Sequence, residues 1–386
     1  MKIALLTARN SHLSGGLYNS VRCLGLSLFK KGIDLELFSY DDKYSLQDLY
    51  AYENLPMVKY TCNSLPFLKQ FCYSSNLKGL LIESNPDIIH SQTLWLYMSI
   101  VTKYFKSTNR AKVVITPRGT LDSWALGNSH LKKKVARLLF ENKNLELADC
   151  IHALNYSEYE SIRNLGLTNP VAIIPNGINL PSNNVKRKGY KKTLLFMGRI
   201  HPKKGLSELI DALKIMKQSY PLLLESWELK IAGWDEIGHE KYLQQKVLQY
   251  ELDDYVEFIG PILGQKKEQV LENSDAFVLT SFSEGLPMSI LEAWAYKLPV
   301  LMTDQCNLPD GFTNKAAIRV KTIPDNIANG LYKLFSMDDS QRNTMGQNGY
   351  NLVCKDYTWS KVADKTILLY RWLLEGGDTP EFVKLD

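Results

Sequence analysis

Two glutamates eight positions apart, Glu284 and Glu292, are the first residues of this sequence whose spacing suggests chemistry. They lie in SFSEGLPMSILEAWAYKLPV, where Pro287 suits the first turn of a helix because its missing N–H costs nothing there. Glu284 then falls on a loop and Glu292 about one turn or more into the helix. N–H groups near Gly285, Leu286 and Met288 would point at an anion. A carboxylate accepts hydrogen bonds from vicinal sugar hydroxyls, so the pair could hold a ribose and a hexose. A capping Glu and an exposed helix Glu explain the same spacing. A second segment, FMGRIHPKKG, crowds Arg199, Lys203 and Lys204 onto one loop behind Gly198. Like charges repel unless an anion lies among them, and a diphosphate suits the cluster. A solvated basic loop is the alternative.

The first half offers weaker signals. NSHLSGGLYNS sets Gly15 and Gly16 between a strand and a helix, where backbone can approach a phosphate closely; a flexible turn fits equally well. His90 ends DIIH and Arg118 ends VVITPR, so both would face one crevice. A lone His more often has a structural hydrogen-bonding role than a catalytic one. LKKKVARLLF puts Leu131, Val135, Leu138 and Leu139 on one face, with Lys132, Lys133, Lys134 and Arg137 beside or opposite it. That pattern reads either as an ordinary packed helix or as an amphipathic membrane-surface helix.

These residues need a frame, and the chain supplies one twice. KIALLTA, IDLELFSY, DIIHSQ, KVVITPRG, CIHALN and PVAIIPNGI are strand-like, and GLYNSVRCLGLSLFKKG between the first two has helical spacing. After a polar, basic stretch the pattern restarts with TLLFMGRI, ELKIAGW, VEFIGPI, AFVLTS and LPVLMTD. Helical segments lie between them, and WSKVADKTILLYRWLLEG comes last. Alternation of this kind predicts parallel sheets with helices on both faces. The expected domains are 1–178 and 193–386, the latter with the final helix, joined by a linker at 179–192.

Composition narrows the class. Of 386 residues, 45% are hydrophobic and 23% charged, the balance of a soluble globular protein. No apolar run approaches the ~18 residues of a membrane span, and MKIALLTA reads as a buried strand rather than a signal peptide. The six cysteines are scattered without C-x-x-C or zinc spacing, which predicts free thiols in a reducing compartment. Neither G-x-G-x-x-G nor a P-loop occurs. Net charge is +5, yet residues 1–180 carry 20 basic and 14 acidic residues, leaving 26 and 27 for the remainder. Residues 101–140 hold nine basic residues against Asp122 alone. That asymmetry suggests an anionic partner for the first half: a lipid headgroup, a phosphate or a nucleic acid.

Taken together, the segments resemble the retaining glycosyltransferases of family 4, of GT-B fold, in the bacterial surface-polysaccharide group. EGLPMSILE is similar to the family's paired-glutamate signature, GRIHPKKG to its basic loop, IIPNGI to its end-of-domain motif, and GGLYNSVRCLGLSLFKKGIDLELF to its first helix and second strand. The resemblance implies two facing Rossmann-like domains, with the C-terminal helix packing back toward the first. It implies a metal-independent, retaining hexosyltransferase using a UDP- or GDP-linked sugar, with no further cofactor, and this chain lacks a D-x-D motif. Arg199 and Lys204 would neutralise the diphosphate, Glu292 would hold the ribose, and Glu284 would contact the transferred sugar. Gly16 would offer an N–H to the phosphate, and Gly285, Leu286 and Met288 would line the donor site. Arg118 departs from the His of many members, and would be a phosphate clamp or acceptor-binding group. The implied acceptor is a glycan or a lipid-linked glycan of capsule or O-antigen type. The implied setting is the cytoplasm, with the protein peripheral on the inner membrane face; no nucleic acid is expected. A nucleotide-sugar epimerase of the same architecture and a non-enzymatic binder of anionic polymers are the competing readings.

Overall fold

The computed structural model describes residues 1–121, 136–181 and 191–386. The expected Lys132, Lys133 and Lys134 with Leu131 and Val135, and most of the expected linker, lie outside the described residues.

The chain forms two compact units: Met1–Gly177 with Trp359–Asp386, and Ile178–Thr358. In the first, β1 (Lys2–Arg9), β2 (Asp34–Tyr40), β3 (Met57–Lys59), β4 (Ile88–Ser91), β5 (Lys112–Ile115), β6 (Cys150–Ala153) and β7 (Val171–Ile173) are parallel, in the order β7-β6-β5-β4-β1-β2-β3. Their apolar runs are continuous rather than alternating because both faces are covered: Ile3 to Leu6 are fully buried. The helix Gly16–Lys30 buries Val21, Leu24 and Leu28 against one face. In the second unit, β8 (Lys192–Met197), β9 (Trp227–Ala232), β10 (Val256–Gly260), β11 (Ala276–Leu279), β12 (Val300–Thr303) and β13 (Ala317–Val320) stand in the order β10-β9-β8-β11-β12-β13. Each sheet thus reverses direction beside its first strand, the doubly wound order of a Rossmann-like domain. The reversal lies between β1 and β4 in one sheet and between β8 and β11 in the other.

Strands β3 and β13 were not among the expected ones. MVK is three residues long and partly exposed, and AIRV keeps an exposed Arg319, so neither shows a buried apolar run. The final helix, Trp359–Glu375, groups with the first unit, toward which the resemblance implied it packs back. Its buried face, Val362, Ala363, Ile367 and Tyr370, joins the core of Val21, Leu24 and Leu28. A short strand beyond it, β14 (Val383–Lys384), pairs antiparallel with β7. Among the described residues no helix is long and apolar enough to cross a membrane. All six cysteines are free, and Cys72, Cys150 and Cys306 are buried.

Candidate functional site

The second unit has a cavity of about 340 Å³ at the carboxyl ends of its strands. Gly198, Arg199 and Lys204 reach it from the loop after β8, Gly233 and Trp234 from the end of β9, and Glu284 from the loop after β11. The helix Met288–Ala295 supplies Met288, Ser289 and Glu292, and Leu286 precedes it. Lys204 and Glu284 therefore flank the β8/β11 reversal, where open α/β sheets bind ligands.

Close backbone packing shapes this floor. Gly233 lies against the Gly198 carbonyl: a Cβ there would stand 1.8 Å from that oxygen. Gly205 ends the basic loop at φ +69°, and a Cβ on it would meet the Thr280 carbonyl oxygen at 2.1 Å. The loop is thereby held onto the end of β11 just before Glu284, and Thr280 Oγ1 donates to the Gly205 carbonyl at 2.9 Å.

The charges inside are arranged as pairs. Lys204 Nζ donates to Glu284 Oε1 at 2.6 Å, and Ser281 Oγ donates to the same oxygen at 2.5 Å. The Glu284 backbone is clamped as well: its N–H donates to the Gln305 carbonyl at 2.9 Å, and its carbonyl accepts from Asn307 Nδ2 at 2.6 Å. Lys267 Nζ donates to Glu292 Oε1 at 2.9 Å. Arg199 is half exposed and reaches Glu236 at 3.4 Å, a loose surface contact. The helix Met288–Ala295 begins at Pro287 with no side-chain cap, so its first N–H groups keep the partial positive charge of a helix start. An anion entering here would meet Lys204, Lys267, Arg199 and this helix end.

Six residues expected at the site, Arg199, Lys204, Glu284, Leu286, Met288 and Glu292, line the one cavity. Gly285 does not line it; its carbonyl accepts from Asn307 Nδ2 at 3.4 Å. Lys203, the remaining cation of the loop, is also absent from the lining, and its carbonyl accepts from Phe282 N at 2.9 Å. Lys267, Ser281 and Trp234 were missed. Nothing local distinguishes Lys267 from Lys266 in GQKKEQVLE, and its partner lies 25 residues further on.

The other expected residues belong to the first unit. Gly16 opens the helix Gly16–Lys30 behind Gly15 at φ +58°, with open space where its Cβ would be. His90 is fully buried and hydrogen-bonded at both ring nitrogens. Its Nδ1 lies 2.7 Å from Tyr370 Oη and its Nε2 2.7 Å from Thr116 Oγ1, which is 3.2 Å from His152 Nδ1. His152 Nε2 lies 2.7 Å from the Ile174 carbonyl, so it must donate there. That fixes the chain: Tyr370 donates to His90, His90 to Thr116, and Thr116 to His152, with both imidazoles neutral. The network ties the final helix to β4, β5 and β6. Burial holds His90 well below its usual 6.5 and His152 down at about 4.

Unfolding frees both rings to take protons near pH 6.5, while the folded state resists. Stability should therefore be full above the ordinary histidine value and fall as pH drops below it. A histidine held at about 4 instead of 6.5 costs about 3 kcal/mol once pH reaches that lower value. Thermal unfolding followed from pH 7 to 5 should show falling stability, with a shallower fall in His152→Asn. Identical slopes in the two proteins would remove His152 as the cause.

Arg118 lies three residues past the end of β5, at φ +54°, with Nη1 donating to Asn176 Oδ1 at 3.2 Å and Nη2 donating to Gln92 Oε1. Burial pushes its guanidinium down to about 10, against the opposing pull of Glu158. Among the described residues, its Nε and Gln92 Nε2 are buried without partners. The carboxyl ends of β4, β5 and β7 thus converge on one cation held by neutral amides.

Two Rossmann-like units, with an ion-paired Lys204–Glu284 site at the strand reversal of the second, define a protein of GT-B fold. Residues 14–181 match the family model described as Glycosyltransferase Family 4, and residues 181–352 the model described as Glycosyl transferases group 1. The chain belongs to this glycosyltransferase family. Over 302 residues it is 24% identical to one component of the human phosphatidylinositol N-acetylglucosaminyltransferase, covering 76% of this chain and 59% of that one. It is 24% identical over 183 residues to the O-antigen chain mannosyltransferase B of Escherichia coli, covering 46% and 45% of the two chains. The chain thus spans roughly half the length of these relatives. The crystal structure of Anabaena HepE in complex with UDP shares the fold at a TM-score of 0.73 and 17% identity, covering 96% of this chain and 99% of that one.

Proposed function

We propose that this chain is a retaining hexosyltransferase that moves a sugar from a UDP- or GDP-linked donor to a glycan or lipid-linked acceptor in surface-polysaccharide synthesis. The carrying observation is the Lys204–Glu284 pair at the β8/β11 reversal, set in a cavity beside an uncapped helix start. The UDP in the HepE structure and the O-antigen assignment of the Escherichia coli relative support the reading.

In this reading the diphosphate displaces Glu284 from Lys204 and gathers Arg199 and the helix N–H groups. Glu284, still held by Ser281, turns to the hydroxyls of the transferred sugar. Glu292, oriented by Lys267, takes the ribose. The C1–oxygen bond to the diphosphate breaks and its electrons stay on the phosphate. The acceptor oxygen bonds to C1 on the same face, and its proton passes to the departing phosphate. Catalysis rests on fixed positive charge where negative charge develops, and on positioning.

The test is calorimetric titration with UDP and GDP, alongside turnover measured with the sugar-linked form of whichever binds. Glu292→Gln should weaken binding of the bare nucleotide about tenfold, the loss of a charge-assisted contact. Glu284→Gln should leave that binding nearly intact and lower turnover about a hundredfold. No binding of either nucleotide would overturn the donor reading; the opposite pattern in the two variants would reverse the roles.

We also propose peripheral docking to an anionic membrane face, from the basic excess at 101–140. In the described part of that stretch, Lys106 and Lys112 both pair with Asp149, at 2.7 and 3.3 Å, so docking depends on the remaining basic residues. Co-sedimentation should be stronger with anionic than with neutral vesicles and should fade at 1 M salt, where the Debye length is about 3 Å. Equal binding to both lipids removes the proposal.

A further inference from the structure

The first unit has a cavity of its own, about 670 Å³, on the β1–β2–β3 wing of its sheet. The last residues of those three adjacent strands, Arg9, Tyr40 and Lys59, all line it. Parallel pairing sets them side by side: Arg9 is in register with Tyr40, and Lys59 with Ser39. Lys43 and Lys69 bring the wall to four cations, against two carboxylates, Asp41 and Asp42.

Both carboxylates are already engaged. Asp41 accepts from Lys59 Nζ at 2.7 Å and from Asn10 Nδ2 at 3.1 Å. Asp42 accepts from Ser11 Oγ at 2.6 Å and from the Tyr44 N–H at 2.9 Å. The other cations have no carboxylate within ion-pair distance among the described residues; Asp42 acts on Arg9 from further off. Arg9 Nε donates to Tyr40 Oη at 2.5 Å, and burial keeps that phenol protonated, pushed up to about 12. Lys43 Nζ rests over the Tyr44 ring, 4.6 Å from its centre. Among the described residues, Arg9, Lys43 and Lys69 form no ion pair, so the wall keeps an excess of two positive charges, four minus two. The remaining wall carries the hydroxyl and amide groups of Thr61, Asn63 and Ser64. The volume is that of a small-molecule site rather than a single-ion site.

Cations outside any ion pair select an acid group; hydroxyls and an amide beside them match a polyhydroxylated ring. We propose that this cavity binds an acidic saccharide, bearing a carboxylate or a phosphate, as the acceptor of the transfer. The acceptor role rests on the transferase reading above; the binding of an acidic saccharide does not. Tyr40 and Tyr60 are almost fully buried, so they offer no face for stacking a base and the site does not suit a nucleotide.

The experiment is calorimetric titration of the whole chain with three disaccharides: one ending in glucuronate, one in a hexose 6-phosphate, and their neutral counterpart. Lys43→Ala/Lys69→Ala is titrated in parallel, and thermal unfolding checks its fold. Both positions are exposed, so the fold should be kept. At low salt at least one acidic disaccharide should bind about tenfold tighter than the neutral one, a preference that shrinks with salt and is largely lost in the double variant. The acid that binds tighter identifies the group. Equal binding of acidic and neutral sugars, no binding of any, or an unchanged preference in the double variant overturns the proposal. UDP and GDP titrations keep the two readings apart: a chain that prefers acidic sugars but binds neither nucleotide loses the transferase reading and keeps this site.

Discussion

Lys204→Ala is expected to lower donor turnover about ten- to a hundredfold, the largest loss of activity for any single cation of the site. A charge-assisted contact to the diphosphate is worth roughly 1.5–3 kcal/mol, and that difference sets the factor. The structure adds a cost that the sequence did not foretell. Lys204 and Glu284 are only 16% and 11% exposed, so removing the lysine strands a mostly buried carboxylate on Ser281 alone. Unfolding should therefore shift too, by about 1–2 kcal/mol, less than for a fully buried pair because water still reaches the cavity. Arg199→Ala is the comparison. Its partner Glu236 is more than half exposed, so stability should hold while turnover drops less. Initial rates with the sugar-linked nucleotide, measured beside thermal unfolding, separate the two effects. Wild-type turnover in Lys204→Ala would sink the site assignment.

Gly205→Ala should be strongly destabilising. Left-handed backbone costs an L-residue roughly 1–2 kcal/mol. The new methyl must also push into the Thr280 carbonyl, 2.1 Å from where it would stand, and overpacking of this kind adds about 1–3 kcal/mol. Together they should lower the melting temperature of the second unit by roughly 5–15 °C. Gly198→Ala is the control a few residues away. Its Cβ would meet nothing nearer than Phe196 at 3.5 Å, so unfolding should barely change. Equal melting temperatures for the two variants would show that the loop is not locked to the strand.

Most strands were legible because a parallel strand covered on both faces shows as an unbroken apolar run. KIALLTA and AFVLTS became β1 and β11 for that reason. Helices such as Leu206–Ser219 and Met288–Ala295 were legible from spacing, the latter also from Pro287 at its start. β3 and β13 escaped because a short strand with exposed residues carries no such run.

The site was half legible. Residue types and spacing in EGLPMSILE and GRIHPKKG pointed to two carboxylates and a basic loop, and both segments reach one cavity. What those charges do in the folded chain was decided elsewhere. Lys204 meets Glu284 across 80 residues, and the unforeseen Lys267 meets Glu292 across 25. His90 lies inside β4, one residue before its end, and meets Tyr370 across 280 residues in the core. The final helix joined the first unit, as the family resemblance had implied and its own periodicity had not. The physical division is consistent. Periodicity records whether each residue's own surroundings are apolar, and the sequence alone determines elements and fold class from it. Which charge faces which depends on the order of strands in the sheet and on how far each loop reaches, and only the tertiary structure sets those.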